Sequence, residues 1–198
     1  MGKEWFMTKV KHIVDKQYSH YSKKELNKIY YGLEGLYCTV PKLTTILLLS
    51  IVTGSSKEIL ILILSFNILR HVAFGAHAPK SYICFIISAL IFVGVSLITP
   101  LLVISKIIRL LIGVVCITIF IFYAPADTKK RPLLNRDQRK QLKVLSILIG
   151  TVYILTSLII KNNLIANTFL LALIIEAILI LPITYILFKQ TYRNYNNY

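Results

Sequence analysis

His77 and Cys84 stand seven residues apart in the stretch Arg70–Cys84, which reads Arg-His-Val-Ala-Phe-Gly-Ala-His-Ala-Pro-Lys-Ser-Tyr-Ile-Cys. An imidazole beside a thiol is the minimum equipment for cysteine acyl transfer: the base takes the thiol proton and the sulfur attacks a carbonyl. Pro79 discourages a helix from running into it, because the residue before a proline avoids the α region. Ser81 suits the N-cap of the apolar helix that follows. With Ser81 as cap, Cys84 is the third helical residue, near unpaired backbone N–H groups and the positive end of the helix dipole, a setting that favours thiolate. On one straight helix the pair would lie ~10 Å apart along the axis, whereas proton transfer needs about 3 Å. The expectation is a loop at His77, allowed by Gly75 and Pro79, that folds over the start of the Ser81 helix and brings the imidazole to the sulfur. The alternative is a buried thiol and an ordinary loop histidine. His12, His20, His71, Cys38 and Cys116 receive that plainer reading.

The elements that must position this pair are apolar. The chain has 198 residues, 56% of them hydrophobic, with a mean hydropathy of +0.69; soluble domains are roughly 45–50% apolar. The excess lies in runs at 81–104, 107–124, 144–160 and 164–188, each about long enough for a ~30 Å hydrocarbon core, which takes about 20 helical residues. Two shorter runs precede them, Pro41 to Thr53 and Ile59 to Leu69, joined by a turn at Gly54, Ser55 and Ser56. A run of roughly 10–14 apolar residues suits a re-entrant segment as well as a span. The pattern predicts an all-α, polytopic helical membrane protein forming a single integral domain over 1–198. Its parts are an interfacial amphipathic region at 1–38, a bundle at 40–188 and a tail at 189–198. The bundle has six hydrophobic segments, or four plus a re-entrant hairpin.

In the first region Phe6, Val10, Ile13, Tyr21, Leu26, Ile29, Leu33 and Tyr37 recur at helical spacing, and Lys3, Lys9, Lys11, Lys16, Lys23, Lys24 and Lys28 fill much of the remainder. Such a face fits a helix lying on anionic lipid or one packed on the rest of the protein. The formal charge of +15 would suggest nucleic acid in a soluble protein; here the positive-inside rule accounts for it. With the N-terminus inside and each segment reversing direction, the outside receives only Lys57, Lys106, Arg109 and Lys161, and the other 19 of the 23 Lys and Arg lie inside. That split places both termini, the 125–143 loop and His77 in the cytoplasm. The first ~40 residues are polar and lysine-rich, without a signal-peptide pattern. Three cysteines make no disulfide or zinc framework, and no metal or cofactor is implied.

Glu176 lies near the centre of the last apolar run, where a carboxylate is costly unless protonated or paired. It reads as interhelical glue or as a functional group, with Arg70 and Arg109 as candidate partners. Asp127 and Glu176 are the carboxylates that could orient His77. The Lys129–Lys143 run is first a topology signal; its second role would be to attract an acidic segment.

The Arg70–Cys84 stretch resembles the signature of the accessory gene regulator B (AgrB) family: a basic residue at Arg70, then Gly75, His77, Ala78 and Cys84. Further likenesses are Tyr123 to Pro132, Tyr31-Gly32-Leu33-Glu34, and Ile174-Ile175-Glu176-Ala177-Ile178, within a hydrophobic layout that matches nearly the whole chain. Phe74 departs from the pattern, which commonly has Gly there. The resemblance implies a bacterial cell-membrane endopeptidase that processes a quorum-sensing propeptide (AgrD-like), with Cys84 as nucleophile and His77 as general base. Arg70, Gly75, Pro79, Ser81 and Glu176 would support them. The family's propeptides have an amphipathic leader and an acidic C-terminal tail; Lys129, Lys130 and Arg131 would hold that tail. The product would be a cyclic thiolactone, or a lactone where Ser attacks. Anionic lipids and a second copy of the chain, forming a homodimer, are the other expected partners. The competing reading is a non-enzymatic transporter or scaffold subunit whose basic face binds peptide or anionic lipid.

Overall fold

Helix follows helix along this chain because apolar runs are separated by short polar breakers. The computed structural model describes residues 2–18, 20–78, 80–128 and 132–197. Pro79, Lys129, Lys130 and Arg131, and with them the expected roles of Pro79 in the loop and of the three basic residues in holding an acidic tail, lie outside the described residues. Among the described residues there are eight α-helices and no extended strand: α1 Gly2–Gln17, α2 Lys23–Val52, α3 Ser56–Ala73, α4 Ser81–Ile98, α5 Lys106–Tyr123, α6 Arg136–Ile159, α7 Asn163–Ile180 and α8 Pro182–Leu187. Short 3-10 turns occupy Thr99–Leu101 and Asn194–Asn197.

The chain divides into two compact units, Met1–Leu48 and Leu49–Tyr198. In the first, Phe6 stacks on Tyr37 with ring centroids 4.6 Å apart, and the Tyr30 hydroxyl donates to Asp15. α2 opens with a capping box: Ser22 N–H donates to Glu25 Oε2 at 2.8 Å and Glu25 N–H to Ser22 Oγ at 3.4 Å. Pro41 does not open a new segment as its type suggests. It lies inside α2, so the first apolar run continues the preceding amphipathic helix. Prolines are tolerated inside long apolar helices, where Ser and Thr side chains and local adjustment re-satisfy the backbone; Thr45 Oγ1 donates to the Pro41 carbonyl at 2.9 Å.

The second unit is a helical bundle. α3 packs chiefly on α7, α5 on α6, and α6 on α7, around Leu69, Cys116, Phe120, Tyr153, Leu173 and Ile180. Gly113 and Gly150 let α5 and α6 approach closely: an added Cβ would lie 2.7 Å from Ile154 or 2.9 Å from Ile117. The Tyr153 hydroxyl donates to the Ser65 carbonyl at 2.9 Å, tying α6 to α3.

Five helices are long and apolar enough to cross a membrane: Glu25–Val52, Ser81–Leu101, Lys106–Tyr123, Arg136–Ile159 and Asn163–Ile180. The protein is a multi-pass, all-α membrane protein. The expected sixth segment, α3, is not among the five; its 18 residues include Lys57, Glu58 and Arg70. The last apolar run is also not one helix. Leu181 is extended (φ −65°, ψ 141°) and Pro182 starts α8. Glu176 therefore sits one turn from the end of α7 rather than mid-span.

Candidate functional site

Residues 74–78 carry no helix, so the expected loop at His77 is present. Its backbone is anchored residue by residue. Phe74 N–H donates to Arg70 O at 3.2 Å, Gly75 N–H to Ala126 O at 2.8 Å and Ala76 N–H to Leu179 O at 2.9 Å. Ala126 N–H returns a bond to Ala73 O at 2.8 Å, which closes an isolated parallel bridge between Phe74 and Ala126. His77 N–H donates to Gln190 Oε1 at 3.3 Å, and Gln190 Nε2 donates to the His77 carbonyl. Buried backbone polar groups need partners, and here the ends of α3 and α7, the Ala126 loop and a side chain supply them.

Arg70 grips the same loop from the end of α3. Its guanidinium donates to Gly75 O at 3.0 Å and also to Phe74 O and Ala76 O. Its Nη1 lies 3.5 Å from Glu176 Oε1, and Glu176 is fully buried. Of the two arginines expected as partners for Glu176, Arg70 is the one that pairs. Arg109 instead donates to Ser157 O at 2.7 Å and Asn163 Oδ1 at 3.0 Å. Gly75 is required twice over: its φ is +113°, and a Cβ there would collide with Arg70 Nη1 and lie 3.0 Å from Leu179 O.

Cys84 is half-buried in the first turn of α4. The cap is not Ser81. Lys80 has the extended cap conformation (φ −124°, ψ 143°), no side chain caps the helix, and Cys84 N–H donates to Lys80 O at 3.0 Å. Cys84 is thus the fourth helical residue. The bonds from His77 to Gln190 run through its backbone and leave the imidazole outside them; catalytic hydrogen bonds often tighten only in the substrate complex.

Asp127 does not orient His77. Its carboxylate, buried at 1% exposure, accepts from Asn194 N–H at 2.9 Å, Tyr195 N–H at 2.9 Å and Leu133 N–H at 3.4 Å. The Tyr185 hydroxyl reaches the carbonyls of Ala126 and Asp127 at 2.8 and 2.9 Å, and burial pushes its phenol above the ordinary value. The segment after α7 therefore clasps both loops. Beside it a cavity of about 220 Å³ is lined by Tyr123, Tyr192, Tyr195, Arg139, Lys140, Lys143 and Arg193, among others. Arg139 is already engaged, stacked 4.3 Å over Tyr195 and bonded to Leu133 O at 2.6 Å.

Sequence reasoning missed Gln190. It stands 113 residues from His77, in no motif, and only the position of the C-terminal segment reveals it.

A family model described as Accessory gene regulator B matches residues 8–180. An AgrB-like protein of Clostridium acetobutylicum is 32% identical over 197 residues, covering 98% of this chain and 94% of its own length. An AgrB-like protein of Listeria monocytogenes is 35% identical over 174 residues, covering 86% of this chain and 84% of its own. The accessory gene regulator protein B of Staphylococcus aureus is 32% identical over 154 residues, 78% of this chain and 81% of its own. No solved structure matches. Matched over most of its length by the family model and by these relatives, the chain belongs to the accessory gene regulator B family.

Proposed function

We propose that this protein is a membrane cysteine endopeptidase and cyclase that matures an AgrD-like quorum-sensing propeptide. The observation that carries the reading is the pinned loop: His77 sits on backbone anchored by α3, α7, the Ala126 loop and Gln190, immediately before the helix whose first turn bears Cys84. Nucleophilic catalysis needs a base and a nucleophile on rigid supports, and family membership supports the pairing.

In the first step His77 accepts the Cys84 proton and Sγ attacks the scissile carbonyl. The C–N bond breaks, the tail leaves as an amine that takes the proton from His77, and a thioester joins Cys84 to the leader portion. A thiol or hydroxyl within that portion then attacks the thioester. The C–S bond to Cys84 breaks, the thiol is regenerated and a thiolactone or lactone ring closes. Exchanging an amide for a thioester is uphill, so loss of the tail or product drives the reaction, and water must be kept from the acyl-enzyme.

The site faces the cytoplasm by the positive-inside argument. α3, though charged at its ends, is 18 residues long, about 27 Å at 1.5 Å per residue. Packed within the bundle, it is long enough to carry the chain back across. Lys129, Lys130 and Arg131, with Lys140, Lys143 and Arg193 beside them in sequence or at the cavity, attract the acidic tail; the attraction weakens with salt. The working unit is a homodimer in anionic lipid.

The test is reconstitution in liposomes with the cognate propeptide, followed by intact-mass spectrometry beside Cys84→Ala and His77→Ala. Tail release and a transient acyl-enzyme, both lost in Cys84→Ala, support the reading, and a cyclic product adds the cyclase step. A folded protein that neither cleaves nor forms the adduct with a verified propeptide overturns it in favour of a transporter or scaffold.

A further inference from the structure

Gln190 meets the His77 peptide with one acceptor and one donor, matched to the one donor and one acceptor of that peptide. The pairing is what a neighbouring β-strand would offer, delivered instead by a single carboxamide. Its aim is set locally. α8 ends in a Schellman-type cap: Gln190 N–H donates to Tyr185 O at 2.8 Å and Lys189 N–H to Ile186 O at 3.0 Å, with Lys189 at φ 52°. The start of the cap is fixed by the Tyr185 hydroxyl on the carbonyls of Ala126 and Asp127. Beyond it, Asn194 N–H and Tyr195 N–H close on the Asp127 carboxylate. Gln190 is thus held on both sides against the Ala126 loop, which itself bridges to Phe74. The three amides before it in the loop, at Phe74, Gly75 and Ala76, are satisfied by backbone; at His77 the partner is a side chain.

We infer that Gln190 is a positioning residue: through its two bonds to the His77 peptide, the C-terminal segment sets the register of the imidazole relative to Cys84. The inference rests on the reading of His77 as the base. It explains why a carboxamide stands here. Asn is one methylene short, and an ionised Glu has two acceptors and would set a carboxylate oxygen against the His77 carbonyl. A protonated Glu, with one O–H donor and one acceptor, would restore the pattern.

The experiment uses the full-length protein in liposomes, with a synthetic AgrD-like propeptide that the wild-type protein cleaves. Gln190→Ala, Gln190→Asn and Gln190→Glu are compared with Cys84→Ala and His77→Ala. Gln190→Ala is expected to lower kcat about 10²-fold, the scale of a 1 Å misplacement, with a smaller change in KM and faster amide hydrogen exchange across residues 74–78. Gln190→Glu falls at least as far at pH 7.5. Its rate relative to wild type at the same pH then recovers as pH is lowered to 5, because the carboxyl regains a proton; a merely structural residue would show no such recovery. Wild-type exchange at 74–78 in Gln190→Ala, or a flat Gln190→Glu to wild-type ratio across pH, overturns the inference. Cleavage abolished in Cys84→Ala and His77→Ala but intact in all three Gln190 variants overturns it alone. Cleavage that survives in Cys84→Ala or His77→Ala overturns the underlying reading instead.

Discussion

Two arginines are built into the bundle, and they are used differently. Arg70 meets a buried carboxylate on α7 and three carbonyls of one loop. Arg109, 3% exposed and at the opposite end of α5 from Ala126, meets only neutral oxygens among the described residues, from the last turn of α6 and the start of α7. Its Nε has no partner among the described residues. An arginine with an acid beside it can be stationed inside and still direct its fork elsewhere, because the guanidinium offers five donors in fixed directions. Arg70 therefore holds the loop that bears His77, while Arg109 staples three helices. The difference predicts that damage at Arg70 reaches turnover and damage at Arg109 stops at stability.

Arg70→Ala gives the largest effect. It strands Glu176 without its cation, at a cost of about 3–5 kcal/mol for breaking a buried pair, and frees three carbonyls of the loop. Arg70→Lys separates the two roles. A lysine keeps a charge for Glu176 but cannot span the carbonyls, so its midpoint of thermal unfolding in detergent should stay nearer wild type while kcat falls about 10²-fold, the scale of a loop displaced by 1 Å. Equal loss of stability and activity in Arg70→Lys would break the comparison.

Glu176→Gln turns the Arg70 site into a copy of the Arg109 site, an arginine among neutral acceptors. Among the described residues neither Glu176 oxygen accepts a hydrogen bond, so what is lost is the ion pair itself. Stability should fall by less than the cost of breaking a buried pair, about 3–5 kcal/mol, because Arg70 keeps its three carbonyls. Turnover should fall less than in Arg70→Lys, because the loop carbonyls keep their donor. Normal turnover together with a normal unfolding midpoint would remove Glu176 from the scaffold. Arg109→Met is the counterpart at the other end. It leaves Ser157 O and Asn163 Oδ1 unpaired, at about 1–3 kcal/mol, and the folded fraction should process propeptide at the wild-type rate. A reduced kcat per folded molecule would mean that the Arg109 end communicates with the site.

What could be read from the sequence divides along the same line between local and distant partners. The loop at His77 and the helix bearing Cys84 follow from breakers and an apolar onset within fifteen residues. The cap moved from Ser81 to Lys80 because the i to i−4 bond of Cys84 closes on Lys80, a choice that side-chain preference alone does not decide. Two prolines show how far type can mislead. Pro182 breaks its run, with Leu181 extended, whereas Pro41 is absorbed within α2. Arg70 was recognisable as a partner for Glu176 because intramembrane charges seek each other. Its grip on the loop, the engagement of Asp127 by Asn194 and Tyr195, and the approach of Gln190 depend on where the chain returns after α8, and no periodicity encodes that.

The smallest expected effect concerns the loop's own backbone. Phe74 has φ 61° and ψ −128°, a conformation in which a side chain costs roughly 1–3 kcal/mol, and the family pattern that the chain resembles commonly has glycine there. Phe74→Gly relieves that cost but loses a half-buried ring and adds about 0.4–1 kcal/mol of unfolded-state entropy, so it should fall within about 1 kcal/mol of wild type. Phe74→Ala loses the same ring without the relief. The glycine variant should therefore be the more stable of the two by about 1 kcal/mol, the reverse of the usual order. The ranking also sharpens the contrast between the arginines. Arg70 is bonded to the Phe74 carbonyl and holds the left-handed turn in place, so in an Arg70→Lys background the glycine advantage should shrink, while in an Arg109→Met background it should persist. Unfolding midpoints of the four double variants check this: an advantage lost in both backgrounds would tie it to global stability and not to the grip of Arg70.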